Sequence, residues 1–195
     1  MSLWTAAEIA RATGGEASAE FNVDAVTFDS REVIGGELFV AMKGEVTDGH
    51  RFAASAIERG AAGILCSEPI DAPHVLVDDG LAGLQALARE RRAAVDATII
   101  GVTGSVGKTS VKEALRLALG EVAPERSHAS VKSYNNHTGV PLSVARMPTD
   151  TRFGVFEMGM NHAGELSALT RLVRPHVAVV TAVASAHREF FDSEE

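Results

Sequence analysis

The sequence predicts an α/β fold, a small amino-terminal α/β domain followed by a parallel-sheet domain entered through a phosphate-binding loop. Three observations carry that reading. Short, continuously apolar segments alternate with segments of helical period, the pattern of strands buried on both faces by crossover helices. A glycine-rich turn, residues 103–110, sits between one such strand and one such helix. The 195 residues, 46% of them hydrophobic and 23% charged, supply a core for one large domain or two modest ones, which excludes a disordered or fibrous chain.

The elements follow in order. Thr5-Ala6-Ala7-Glu8 has the spacing of a capping box and opens a short helix that ends near Gly14-Gly15. Residues 23–28 and 38–42 read as strands, separated by Ser30-Arg31 and a Gly35-Gly36 turn. Residues 52–59 read as a helix stopped by Gly60, and 64–66 and 75–77 as short apolar strands. The first domain closes near Asp78-Asp79-Gly80, giving domains of 1–80 and 81–195. Leu81, Leu84, Leu87 and Ala88 recur at helical spacing, with Arg89, Arg91 and Arg92 expected on the solvent side. Residues 98–102 form a strand, and after the glycine-rich turn Val111, Leu115 and Ala118 mark the apolar face of a helix. A strand over 153–156, a helix over 164–173 stopped by Arg174-Pro175, and a further buried strand over 177–180 complete the pattern. The sequence then ends with no closing element, so the second domain is expected to be incomplete.

Charge and composition narrow the function classes. Residues 1–80 hold 5 Lys/Arg against 14 Asp/Glu, a net of -9, while residues 81–195 hold 13 against 12, a net of +1. The first half would repel a phosphate backbone, so no nucleic-acid role is expected. No apolar run approaches the roughly 18 residues that span a bilayer, and the start lacks a basic and apolar leader. A cytoplasmic location without membrane insertion is therefore expected; the sequence is silent on oligomeric state, and a monomer is the default expectation. Its single cysteine, Cys66, lies in an apolar strand and reads as core in a reducing compartment.

The chemistry begins at Thr103-Gly104-Ser105-Val106-Gly107-Lys108-Thr109-Ser110. Glycines let successive N–H groups converge on phosphate oxygens, and the helix start adds the positive end of its dipole. Lys108 is expected to reach the β- and γ-phosphates of ATP, and the Thr109 hydroxyl to ligate Mg²⁺. The strict spacing is not met, because position 102 is valine and the flanking glycines are 101 and 104. Glu157 ends an apolar strand beside that loop, a natural place for a metal-binding carboxylate. Asn135 and Asn136 read either as a turn before Pro141 or as amides that bond phosphate or substrate. Ser30 and Arg31 follow a strand, where they read either as an exposed turn or as partners of uracil or pyrophosphate. His128, His137, His162 and His176 show no zinc-like spacing with a cysteine.

These segments together resemble the Mur ligase family. Its variant P-loop is similar to residues 101–109, and Asn135-Asn136-His137-Thr138-Gly139-Val140-Pro141-Leu142, residues 156–165 and Ala186-His187 match in order. Upstream, Asp29-Ser30-Arg31, residues 36–41 and Asp48-Gly49-His50-Arg51-Phe52 resemble the domain that holds the UDP-sugar in this family. The asparagine-rich and glutamate segments are most similar to the branch that joins D-alanyl-D-alanine to the UDP-N-acetylmuramoyl-tripeptide. The resemblance implies ATP-driven amide synthesis through an acyl phosphate, in peptidoglycan precursor assembly. It implies catalytic roles for Lys108, Glu157 and His187, with Thr109, Glu157 and His187 around Mg²⁺. It further implies that Ser30, Arg31, Lys43, Gly44, Asp48, Gly49, His50, Asn135 and Asn136 contact substrate.

Two departures qualify the match. Ala182 stands where many relatives carry asparagine. The modified lysine and third domain of the family have no counterpart in these residues, so weak ligand binding with little turnover is expected. Rival readings are another amide ligase of the superfamily, a fragment without activity, and a P-loop switch, which would carry an Asn-Lys-x-Asp segment that this sequence lacks.

Overall fold

A computed structural model describes residues 2–44 and 47–183. Thr5 ends β1 (Trp4–Thr5) and caps α1 (Ala6–Thr13): its hydroxyl accepts from the Glu8 N–H at 3.2 Å, and the Glu8 carboxylate accepts from the Thr5 N–H at 2.8 Å. The expected capping box is therefore formed, and Gly14, at φ 70°, closes the helix. β2 (Glu16–Ala17) follows. The single strand expected over residues 23–28 is two, β3 (Asn22–Val23) and β4 (Ala25–Thr27). Asp24 breaks the run by donating its N–H to Gly36, so β3 pairs with β1 while β4 joins the main sheet.

That sheet adds β5 (Glu37–Val40), β6 (Gly63–Cys66) and β7 (His74–Leu76) in the order β2-β7-β6-β5-β4. All pairs are parallel except β2 with β7. Between β5 and β6 runs α2 (Ala53–Glu58), whose Ala53 and Ala56 pack with Val33, Phe39, Ile64 and Cys66. Gly63 lets the Phe21 ring lie against β6, since a Cβ there would sit 2.3 Å from that ring.

α3 (Gly80–Ala94) follows, and the chain divides into compact units between Glu90 and Arg91, against the 80/81 boundary drawn from sequence. Arg91 and Arg92 were expected in solvent and are buried. Arg92 turns inward to donate to the carbonyls of Val173 at 2.6 Å and Arg174 at 2.8 Å, which a helix end leaves unpaired.

The second unit holds β8 (Thr98–Thr103), α4 (Lys108–Val122), β9 (Ser127–Ala129), α5 (Gly139–Ala145), β10 (Phe153–Glu157), α6 (Glu165–Val173) and β11 (Val177–Val180). Its sheet is parallel throughout, ordered β11-β8-β10-β9. α4 packs Val111, Leu115 and Leu119 on Ile100, Val102 and Val155. Ala118, expected in that face, is exposed because Leu119 falls one position closer to the seam. β11 is an edge strand with Val177 and Val180 exposed, not the buried strand expected, because β8 is its sheet partner among the described residues. No described helix is long and apolar enough to cross a membrane.

Candidate functional site

Both units gather their chemistry at the carboxyl ends of parallel strands, where α/β sheets hold ligands. In the second unit β8 ends at Thr103 and the chain turns through Gly104 (φ 133°) and Gly107 (φ 85°) into α4. A Cβ on Gly104 would lie 2.2 Å from the Thr181 hydroxyl, so bare backbone is needed there. No side chain caps α4, which leaves its first amides to the loop. Lys108 folds back over the loop and donates to the Gly104 carbonyl at 2.7 Å. The Thr181 hydroxyl donates to the Val106 carbonyl at 2.5 Å, and the Ser105 N–H to the Ala182 carbonyl at 2.7 Å. The loop is thus tied to the end of β11.

Glu157 ends β10 opposite Val102, one strand across from this loop, and is 1% exposed. One carboxylate oxygen accepts from the Thr109 hydroxyl at 3.0 Å, the other from the Asn135 side-chain amide at 2.8 Å. Its N–H donates to the Ser130 hydroxyl at 3.2 Å. The Asn135 carbonyl accepts from the Gly159 N–H at 2.7 Å, so Asn135 grips the strand end from two sides. The structure brings Thr109, Glu157 and Asn135 together beside Lys108. His187 lies outside the described residues.

The two asparagines separate. Asn136 Oδ1 accepts from the N–H groups of Thr138 (3.2 Å) and Gly139 (2.9 Å) and from the Thr138 hydroxyl, so its side chain caps α5. Pro141 sits in the first turn of that wholly buried helix, where its missing N–H costs nothing. Beyond Glu157, Glu165 clasps the loop over 158–164. It accepts from the N–H groups of Asn161 and His162 and from the His162 ring, and these contacts pull its pKa down to about 2.

Mg²⁺ and a triphosphate suit this donor set. Thr109 and Glu157 offer adjacent hard oxygens, and the glycine turn presents backbone with no side chain in the way.

In the first unit the candidate residues form short local pairs. Asp29 accepts from the Arg31 N–H, and the Arg31 guanidinium reaches the same carboxylate with two bonds of 2.9 and 2.7 Å. Ser30 lies in the same single turn. Lys43 pairs with Glu68 at 2.6 Å, and the Gly44 N–H donates to Thr47. Asp48 caps the turn that carries Gly49 and His50. His50 Nε2 accepts from the Ser67 N–H at 3.0 Å, which assigns the ring proton to Nδ1, 2.6 Å from Asp48. Asp48, His50 and Glu68 come close enough to share a cation, but both His50 nitrogens are taken and Glu68 holds Lys43.

Sequence reasoning missed Ser130, Thr181 and Lys112. Lys112 is fully buried on α4 and donates to the carbonyls of Ser130 and Lys132. A lysine in a helix reads as solvent-facing unless its four-residue offset from Lys108 is noticed.

Residues 22–92 match the model of the Mur ligase family catalytic domain, and residues 102–195 that of the Mur ligase middle domain. The UDP-N-acetylmuramoyl-tripeptide–D-alanyl-D-alanine ligase of Rickettsia prowazekii is 36% identical over 99% of this chain, which spans 43% of that relative. A crystal structure of MurF from Acinetobacter baumannii superposes with a TM-score of 0.84 at 32% identity, covering 98% of this chain and 43% of that one. MurF from Thermotoga maritima, in complex with ADP, matches at a TM-score of 0.71 and 34% identity, over 87% of this chain and 40% of that one.

Proposed function

The chain belongs to the Mur ligase family, and from that premise we propose that it is the UDP-sugar- and nucleotide-binding part of an ATP-dependent ligase. The reaction joins D-alanyl-D-alanine to UDP-N-acetylmuramoyl-tripeptide, the activity for which its R. prowazekii relative is named. A tripeptide carboxylate takes the γ-phosphoryl group of ATP, giving an acyl phosphate and ADP. The amine of D-alanyl-D-alanine then forms the C–N bond as the C–O bond to phosphate breaks and the amine gives up a proton. The reading carries with it a cytoplasmic monomer.

The observation that carries the proposal is the buried Glu157 carboxylate held between Thr109 and Asn135 beside the glycine turn. Carboxylate and triphosphate are both anionic, so their approach needs fixed positive charge and oriented N–H groups. Lys108 leaves the Gly104 carbonyl to reach phosphate, while the first amides of α4 face the same anion. Thr109 and Glu157 are the residues that would hold Mg²⁺, which supplies Lewis-acid stabilisation of the phosphoryl oxygens when bound. Their mutual hydrogen bond keeps both oxygens in place beforehand. In the first unit Ser30 and Arg31 follow β4, and Lys43, Gly44, Asp48, Gly49 and His50 follow β5, at the sheet end that would take the UDP group. The ADP in T. maritima MurF supports the nucleotide half of the reading.

Titration calorimetry with ADP and Mg²⁺ tests it. Lys108→Ala is expected to weaken binding by about tenfold or more, the loss of a charge-assisted phosphate contact. Equal affinity of the parent chain and this variant would overturn the proposal.

A further inference from the structure

Lys112 stands one helical turn beyond Lys108, and its side chain has no solvent exposure. Burying an ammonium is costly unless each N–H finds an acceptor. Here there are three: the Ser130 carbonyl at 3.1 Å, the Lys132 carbonyl at 2.6 Å and the Glu113 carboxylate at 2.9 Å. Two of the three belong to the segment that leaves β9 and turns at Lys132, a non-glycine residue at φ 54°. A methionine would fill the same space without desolvation cost, but it would remove the donor that both carbonyls share.

The tethered segment leads straight to the candidate site. Ser130 accepts the Glu157 N–H, and Asn135 donates to one oxygen of the Glu157 carboxylate. The other oxygen is held by Thr109, three residues before Lys112 on the same helix. α4 therefore fixes one oxygen directly and the other through Lys112, residues 130–135 and the Asn135 amide.

We propose that Lys112 is a positioning residue of the nucleotide–metal site: by holding residues 130–135 it keeps the Glu157 carboxylate turned toward Thr109 and the glycine turn. The proposal rests on the reading that Thr109 and Glu157 receive the divalent cation. Lys112 touches neither phosphate nor cation. Its effect appears in cation-dependent binding and spares what the loop amides and Lys108 do alone.

The experiment is calorimetric titration of this chain with ADP, once with Mn²⁺ and once in chelator, on the parent, Lys112→Met, Asn135→Ala and the double variant. Lys112→Met is expected to weaken Mn²⁺-dependent ADP binding about tenfold, the low end for residues that orient metal ligands, and to change binding in chelator less than about twofold. The double variant is expected to bind no worse than the weaker single variant, because both substitutions cut one chain of contacts. Three results would overturn the proposal: parent-like binding of Lys112→Met with Mn²⁺, an equal loss with and without cation, or losses that multiply in the double variant. Should Lys112→Met not fold, Lys112→Gln, whose amide nitrogen stops one bond short of the lysine ammonium and so loosens both contacts while keeping the position polar, takes its place with the same outcomes. A parent chain whose ADP affinity ignores Mn²⁺ overturns the metal reading itself, and this proposal with it.

Discussion

The two units place their candidate residues at the same end of a parallel sheet, yet hold them in opposite ways. In the second, Glu157 is buried and shared between Thr109 and Asn135, and the segment carrying Asn135 is pinned by buried Lys112. In the first, Arg31 pairs with Asp29, Lys43 with Glu68 and His50 with Asp48, the first two at the surface. A buried network of polar groups resists rearrangement, because each broken bond leaves a group unsatisfied. A surface pair exchanges partners at little cost. On the proposed reading, one site would be organised before a ligand arrives, and the other would trade internal pairs for ligand contacts.

The largest expected effect tests whether the second unit depends on buried polar order more than the first. His128 on β9 donates from Nε2 to the Ser143 carbonyl at 2.7 Å. Burial pushes its pKa from 6.5 down to about 4, with the Arg146 charge in the same direction and the Ser143 carbonyl opposing. A histidine held neutral in this way contributes fully above pH 6.5 and loses that contribution as pH falls toward 4. The loss should reach about 3 kcal/mol. Trp4 in the first unit and Tyr134 in the second are the sole residues of their kinds and report on the units separately. Denaturant unfolding between pH 7 and 4 should show the Tyr134 signal weakening first, with the slope flattened in His128→Gln. Identical pH slopes in parent and variant would break the comparison.

The contrast also explains what the sequence made legible. The glycine turn, Lys108 and Thr109 are local, so spacing between a strand and a helix suffices to find them. Glu157 was readable because it ends an apolar strand beside the glycine turn, although a glutamate at a strand end is often only a solvated loop residue. Asn135 and Asn136 were not separable: one reaches across to β10 and the other caps α5, and only the chain's path decides which. β9 and α5 went unread because one is three residues long and the other carries a proline in its first turn. Arg92 and Lys112 defeated sequence reasoning for one reason. Each long cationic side chain is buried by backbone carbonyls that are distant in sequence, and composition carries no trace of those partners.

A second prediction sharpens the idea of prior organisation. Glu157 is a carboxylate buried among neutral donors, an arrangement that serves a cation better than it serves the ligand-free fold. Glu157→Gln keeps an acceptor for Thr109, and Asn135 can flip its amide to meet the new NH₂ group. The thermal midpoint without ligand should equal or exceed that of the parent. The gain in ADP affinity from Mn²⁺ should fall by at least about tenfold. A lower midpoint with the cation effect intact would make Glu157 a structural residue and remove the difference between the units.

The smallest effect probes the first unit. Lys43 and Glu68 lie 2.6 Å apart with about half of each side chain exposed, and the hydrogen bond and charge of Glu68 hold the Lys43 pKa above its usual value. If Lys43 must leave Glu68 to meet a pyrophosphate, removing the partner's charge makes that step easier. Glu68→Gln should therefore tighten UDP binding by about twofold to threefold, the scale of one exposed ion pair, with the thermal midpoint unchanged. Added salt should narrow the gap between variant and parent, because it already weakens the pair in the parent. Lys108 offers no parallel, since its described partners are backbone carbonyls and no charged group would have to be given up. Weaker UDP binding in Glu68→Gln would mean that Glu68 itself meets the ligand, and the first site would then be as organised in advance as the second.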